Sequence, residues 1–145
     1  MEKLNFQRNR EDFYILEVNE KGETIEFDLT DINLPDKIMK ASENIKKLDE
    51  EYMEKIRKVP KDDEEKYVKE LLEIQKEMFT KMRKEMDSFM GDGACKKIFG
   101  EAEYYGMFLD LMEQLEPHFN KMIIKADVAK KRLVEKYMPS KSDVI

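Results

Sequence analysis

The side chains from which this chain could build catalysis or metal binding are one histidine, His118, one cysteine, Cys95, and 33 carboxylates. A lone histidine excludes a multi-histidine metal site and the HExxH pattern, in which two imidazoles one helical turn apart share a metal. Cys95 has no histidine at a recognisable local spacing to serve as its base. At the start of a short helix and ahead of Lys96 and Lys97 its thiolate would be favoured, but a buried cysteine behaves as a small inert apolar residue, and that is the expectation. Acidic pairs such as Asp62 and Asp63 belong on solvated helices, because a carboxylate metal or hydrolytic site needs inward acids at i,i+3 or i,i+4 on facing helices. The acids of this sequence lie off its apolar stripes. The run GDGACKKIFG, residues 91–100, sets glycines before a helix, as anion sites do. No strand precedes it, and it matches neither GxxxxGK[ST] nor GxGxxG. The sequence therefore predicts no enzyme, no cofactor and no metal.

Methionine is the other chemically distinctive side chain, with 11 copies in 145 residues. Met78, Met82, Met86 and Met90 fall four apart. Such a row either fills an irregular core or offers an adaptable surface to partner helices. Core filling is the simpler reading. Because a four-residue step drifts around a 3.6-residue helix, part of the row is expected to leave the core-facing stripe.

These residues need elements to hold them. Between residues 10 and 30, Ile25, Phe27 and Leu29 alternate with Glu26 and Asp28, the period of a strand with one wet face. Asn19 to Gly22 separates that strand from Phe13-Tyr14-Ile15-Leu16-Glu17-Val18, which predicts a β-hairpin. After Pro35 the period changes. Leu34, Ile38, Ala41, Ile45, Leu48, Tyr52, Ile56 and Val59 keep one helical stripe, ended at Pro60. Asp63 is placed to cap a second helix running to Met90, so residues 35–90 form a helical hairpin. Gly91 is the expected left-handed residue after it. A short turn docks Ile98 and Phe99 into the core, and Tyr104, Tyr105, Phe108, Leu111, Met112 and Leu115 form the next apolar face. Pro117 either opens a last helix or kinks a continuous one. C-terminal helices are expected over residues 94–138 and a flexible tail over 139–145. The fold class is mainly α with a small N-terminal β-hairpin, α+β, in a single domain.

Charge sharpens the exclusions. Charged residues are 41% of the chain and the formal net charge is −6. Acid exceeds base in residues 1–33 and 91–120, long helices carry balanced i,i+4 pairs, and base dominates only from Lys121 onward. A nucleic-acid surface needs basic residues across one face, so that last segment reads as a solvated helix face and not as a nucleic-acid site. No apolar run approaches the ~20 residues of a membrane span, and the N-terminus lacks the apolar stretch of a signal peptide. A cytoplasmic protein with a reduced thiol is expected.

The run GDGACKKIFG, the stretch MFLDLMEQLEPHF and the Lys-rich helix after it resemble the phage tail assembly chaperone family of Gram-positive siphoviruses and prophages. The order of elements, from acidic hairpin through long charged helical hairpin and glycine-flanked corner to C-terminal helix, is similar across residues 13–138. The resemblance implies a non-enzymatic factor in the infected bacterial cytoplasm, absent from the mature virion. Its partners would be the tape-measure protein and the tail-tube protein, with self-association possible through the hairpin edge or the long helices. A client groove would then draw on Met78, Phe79, Met82, Met86, Phe89, Met90, Tyr104, Tyr105 and Phe108. Two other classes stay open: a small acidic inhibitor of a host protein, and a coiled-coil adaptor dimerising through residues 35–90.

Overall fold

A computed structural model describes residues 1–137. A 3-10 turn, Arg10–Asp12, leads into β1 (Phe13–Glu17) and β2 (Thr24–Asp28), followed by α1 (Leu34–Arg57), α2 (Glu64–Met90), α3 (Ala94–Phe99) and α4 (Met107–Tyr137). The expected tail and the Met138-Pro139 stop lie outside the described residues.

The strands pair antiparallel, with Tyr14 opposite Phe27 and Leu16 opposite Ile25. One face of the hairpin therefore carries Tyr14, Leu16, Ile25 and Phe27 into the core, while Ile15 and Glu26 face out. The turn is held by Asn19, whose Oδ1 accepts from the Lys21 and Glu23 amides at 3.0 and 3.1 Å. Its Nδ2 donates to the Lys97 carbonyl at 3.0 Å, and Lys97 Nζ donates to the Thr24 carbonyl at 3.0 Å, so the hairpin tip is stitched to α3. At the other end Asp12, buried, takes an ion pair from Arg132 on α4, and its carbonyl accepts from the Leu29 amide at 2.8 Å.

Along α1 the anticipated stripe is buried at Leu34, Ile38, Ala41, Ile45 and Tyr52, with Pro35 in the first turn. Asp63 caps α2, accepting from the Lys66 amide at 3.2 Å. The two helices form the helical hairpin. Glu51 to Lys55 and Glu54 to Lys58 meet at 3.5 and 3.6 Å, exposed pairs worth only a few tenths of a kcal/mol each.

Two local expectations need correction, at Gly91 and at the tyrosine pair, and two are made specific, at α3 and at Pro117. Gly91 has φ 112° and ψ 153° and is not left-handed; the left-handed residue is Gly93, with φ 77° and ψ 5°, at the entry to α3. α3 buries Ala94 and Cys95, and Ile98 and Phe99 pack against the core as expected but with partial cover, Phe99 meeting the Phe108 ring at 5.8 Å. Tyr104 and Tyr105 precede α4 and are half exposed. α4 is one helix of 31 residues that runs through Pro117. Pro117 is exposed, so the Glu113 carbonyl that loses its intrahelical donor lies on the solvent side, where water substitutes.

The core closes on a ring cluster. Phe27 from β2, Phe89 from α2 and Phe119 from α4 lie with centroids 5.3, 5.5 and 6.5 Å apart. Phe27→Ala should lower unfolding free energy by about 3–5 kcal/mol, the range for a buried ring replaced by a cavity. Ile15→Ala, on the outer face of the same hairpin, should stay within about 0.5 kcal/mol. Urea titration of both variants checks the pair, and equal losses would contradict the assigned faces.

Candidate functional site

The aromatic and methionine residues marked by the sequence are mostly interior. Met78, Phe79, Met82, Met86, Met90 and Phe108 are all buried in the core, and Phe89 is half-buried in the ring cluster. The methionine row does not leave the core. Each four-residue step turns about 40° and three steps about 120°, but α2 changes its cover along its length. It packs on α1, α3 and β2, and its rings Phe79 and Phe89 meet Phe108 and Phe119 of α4 at 6.0 and 5.5 Å. The drift is absorbed by successive neighbours. Tyr104 and Tyr105 do reach solvent, the Tyr105 hydroxyl bonded to Gln75, and partial burial together with Tyr67 pushes its phenol up. The nine residues therefore do not assemble into one open groove.

The open apolar surface lies elsewhere, along the crevice between α1 and α4. A first groove of about 500 Å³ is lined by Ile38, Met39, Ile45, Leu109, Met112 and Ile123 among others, with Phe119 also contributing. A second, of about 510 Å³, is lined by Leu29, Ile32, Pro35, Ile123, Leu133 and Tyr137 among others. Ile123 lines both, so the two grooves adjoin along α4, the first against α1 and the second against residues 29–35, and together they make the trough. Its exposed apolar residues are substantial: Ile32 at 88%, Met39 at 61%, Tyr137 at 69% and Ile123 at 45% of full exposure. Glu43, Glu113, Glu116 and Lys46 border the first groove, and Asp31, Asp127 and Lys130 the second. Lys37, at 2.6 Å, and the Asn33 amide hold the Asp31 carboxyl below the usual carboxylate range. The signal that could have found this trough is the surplus of apolar residues on α4. Ile123 and Val134, which line it, lie off the stripe of Leu115, Phe119, Met122 and Ala129 that the core consumes, as do Ile124 and Val128 beside it.

At the glycine-flanked corner the amide that an anion would need is already taken. The Asp87 carboxylate accepts from the Cys95 amide at 2.9 Å, occupying the start of α3 with a negative charge of the protein's own. Arg83 donates to the Gly100 and Ala102 carbonyls at 3.1 and 2.8 Å, locking the corner onto α2. Burial first, then Asp87, push the Cys95 thiol up to about 12. His118 Nδ1 shares a 2.7 Å hydrogen bond with the Tyr14 hydroxyl, tying β1 to α4. Among the described residues no cluster of His, Cys, Asp and Glu could hold a metal, and no helix is long and apolar enough to cross a membrane.

A protein-family model described as "Family of unknown function (DUF6673)" matches residues 21–143. No curated protein and no solved structure matches the chain.

The buried thiol should react with a disulfide reagent at pH 8 at least about 100-fold more slowly in the native protein than in denaturant, since the thiolate is the attacking species. Labelling followed at 412 nm measures this; equal rates would place Cys95 at the surface.

Proposed function

Because the chain belongs to the DUF6673 family, described as one of unknown function, we propose its role from its surface. It is a non-enzymatic phage tail assembly chaperone. It takes amphipathic helices of a tape-measure protein into the trough between α1 and α4, keeping them soluble while tail-tube subunits assemble around them. It acts in the cytoplasm of the infected cell and is absent from the finished virion.

The observation that carries this reading is the trough itself, two adjoining grooves with apolar walls on a chain in which 41% of residues are charged. A client helix laid in such a trough is held by apolar side chains at i, i+3, i+4 and i+7. Exposed Met39 and half-buried Met112 give the first groove the soft walls that adapt to more than one client sequence. The charged coat keeps the loaded complex dispersed. The order of elements that resembles the tail assembly chaperones supports the same reading.

The alternatives draw less support. An acidic inhibitor would present its carboxylates to a basic partner, and five of the nine acids in residues 1–33 are already paired within the chain. Asp12 and Glu11 meet Arg132, Glu26 meets Arg10, Asp28 meets Arg8, and Asp31 meets Lys37. A coiled-coil adaptor would present the stripe of α1 to a second chain, and that stripe is buried against its own α2.

Co-expression with a tape-measure fragment should carry the fragment into the soluble fraction and yield a complex on gel filtration. Ile123→Asp, at an exposed position shared by both grooves, should weaken that complex at least about tenfold while leaving the melting curve close to the parent. An insoluble fragment with no complex would remove the main support for the chaperone role.

A further inference from the structure

Charge along α4 reverses at its middle. Residues 107–120 carry Asp110, Glu113 and Glu116 and no Lys or Arg, whereas residues 121–137 carry Lys121, Lys125, Lys130, Lys131, Arg132 and Lys136 against Asp127 and Glu135. An exposed seam runs along the helix through Leu109, Glu113, Glu116, Asn120, Ile123 with Ile124, Asp127, Lys131 and Val134. Steps of three and four keep these positions on one face. None of them is buried, and Glu113 and Glu116 make no ion pair among the described residues.

The middle of the seam, residues 116–131, is complementary to itself when reversed, while Glu113 falls opposite Val134 at its ends. We propose that a second copy of this chain docks here, α4 against α4, antiparallel about a two-fold axis passing between Ile123 and Ile124. In that register Ile123 meets Ile124 of the second copy, so the apolar middle is shared. Glu116 meets Lys131 of the second copy, and Asn120 meets Asp127, an amide donor facing a carboxylate. Each pair occurs twice by symmetry. A parallel arrangement would set Glu113 and Glu116 on their own counterparts and Lys131 on Lys131, so charge selects the antiparallel one. Lys131 is released at little cost, because its present contact is an exposed i,i+4 pair with Asp127 at 3.1 Å.

Size sets the strength. The helix of 31 residues is about 46 Å long at ~1.5 Å per residue. A contact one helix wide over that length falls at the low end of interface sizes, below about 1,200 Å² in total, which gives a reversible dimer. The inference rests on the charge pattern of α4. Because Glu116, Asn120 and Ile123 also line the first groove, a second copy and a client helix would exclude each other, and its test contains no client, so it reads the dimer alone.

Sedimentation of the full chain from micromolar to millimolar concentration should show a monomer–dimer equilibrium. Glu116→Lys and Lys131→Glu should each weaken it about tenfold by placing like charges together twice, and the double variant should recover parental association with the pair order exchanged. Circular dichroism verifies that the variants stay folded, which their exposed positions favour. A monomer at every concentration would overturn the proposal, as would a dimer indifferent to both single changes. A double variant as weak as the singles would overturn this register.

Discussion

Everything in this molecule hangs on three rings. Phe27, Phe89 and Phe119 come from the hairpin, the long helical hairpin and the last helix, and each ring meets the other two. A two-stranded hairpin is marginal in water by itself. It persists here because its inner face has a ring surface to rest on. The same rings decide what α4 shows to solvent. With Phe119 turned inward and also bordering the first groove, the positions one step around the helix are left outside. The core and the trough are two sides of one helix rotation.

Polar contacts then fix what the rings only press together. The hairpin tip is bound to α3 through Asn19 and Lys97, its base to α4 through Asp12 and Arg132, and its middle to α4 through Tyr14 and His118. The residues with the most chemical promise are consumed by this work. His118 is a tether, Cys95 is sealed under the corner, and Asp87 caps a helix. The molecule spends its reactive groups on architecture and leaves hydrocarbon at the surface.

Element type and order were legible in the sequence because period carries them. The alternation from Ile25 to Leu29, the 3–4 stripe from Leu34 to Val59, and Asp63 before α2 each correspond to what is observed. What stayed hidden was which apolar surface remains uncovered, since periodicity marks a face but not its neighbour. The methionine row looked too twisted to remain covered, yet α2 has different partners along its length. The surplus apolar residues of α4 looked like ordinary helix content until the core was seen to close without them. Pro117 allowed two outcomes, and its solvent-facing position settled the matter in favour of a continuous helix.

That proline has a consequence in time as well as in shape. It removes one rung of the hydrogen-bond ladder at the point where α4 changes from acidic to basic. Beyond it, the helix is anchored mainly by Phe119, Met122 and Ala129 and by the Arg132 clamp. Opening of the distal half therefore need not propagate through the ladder into the half that carries Phe108, Leu111 and Leu115. In amide exchange the helix should divide into two cooperative units of unequal protection, the faster one carrying Ile124, Val128 and Val134.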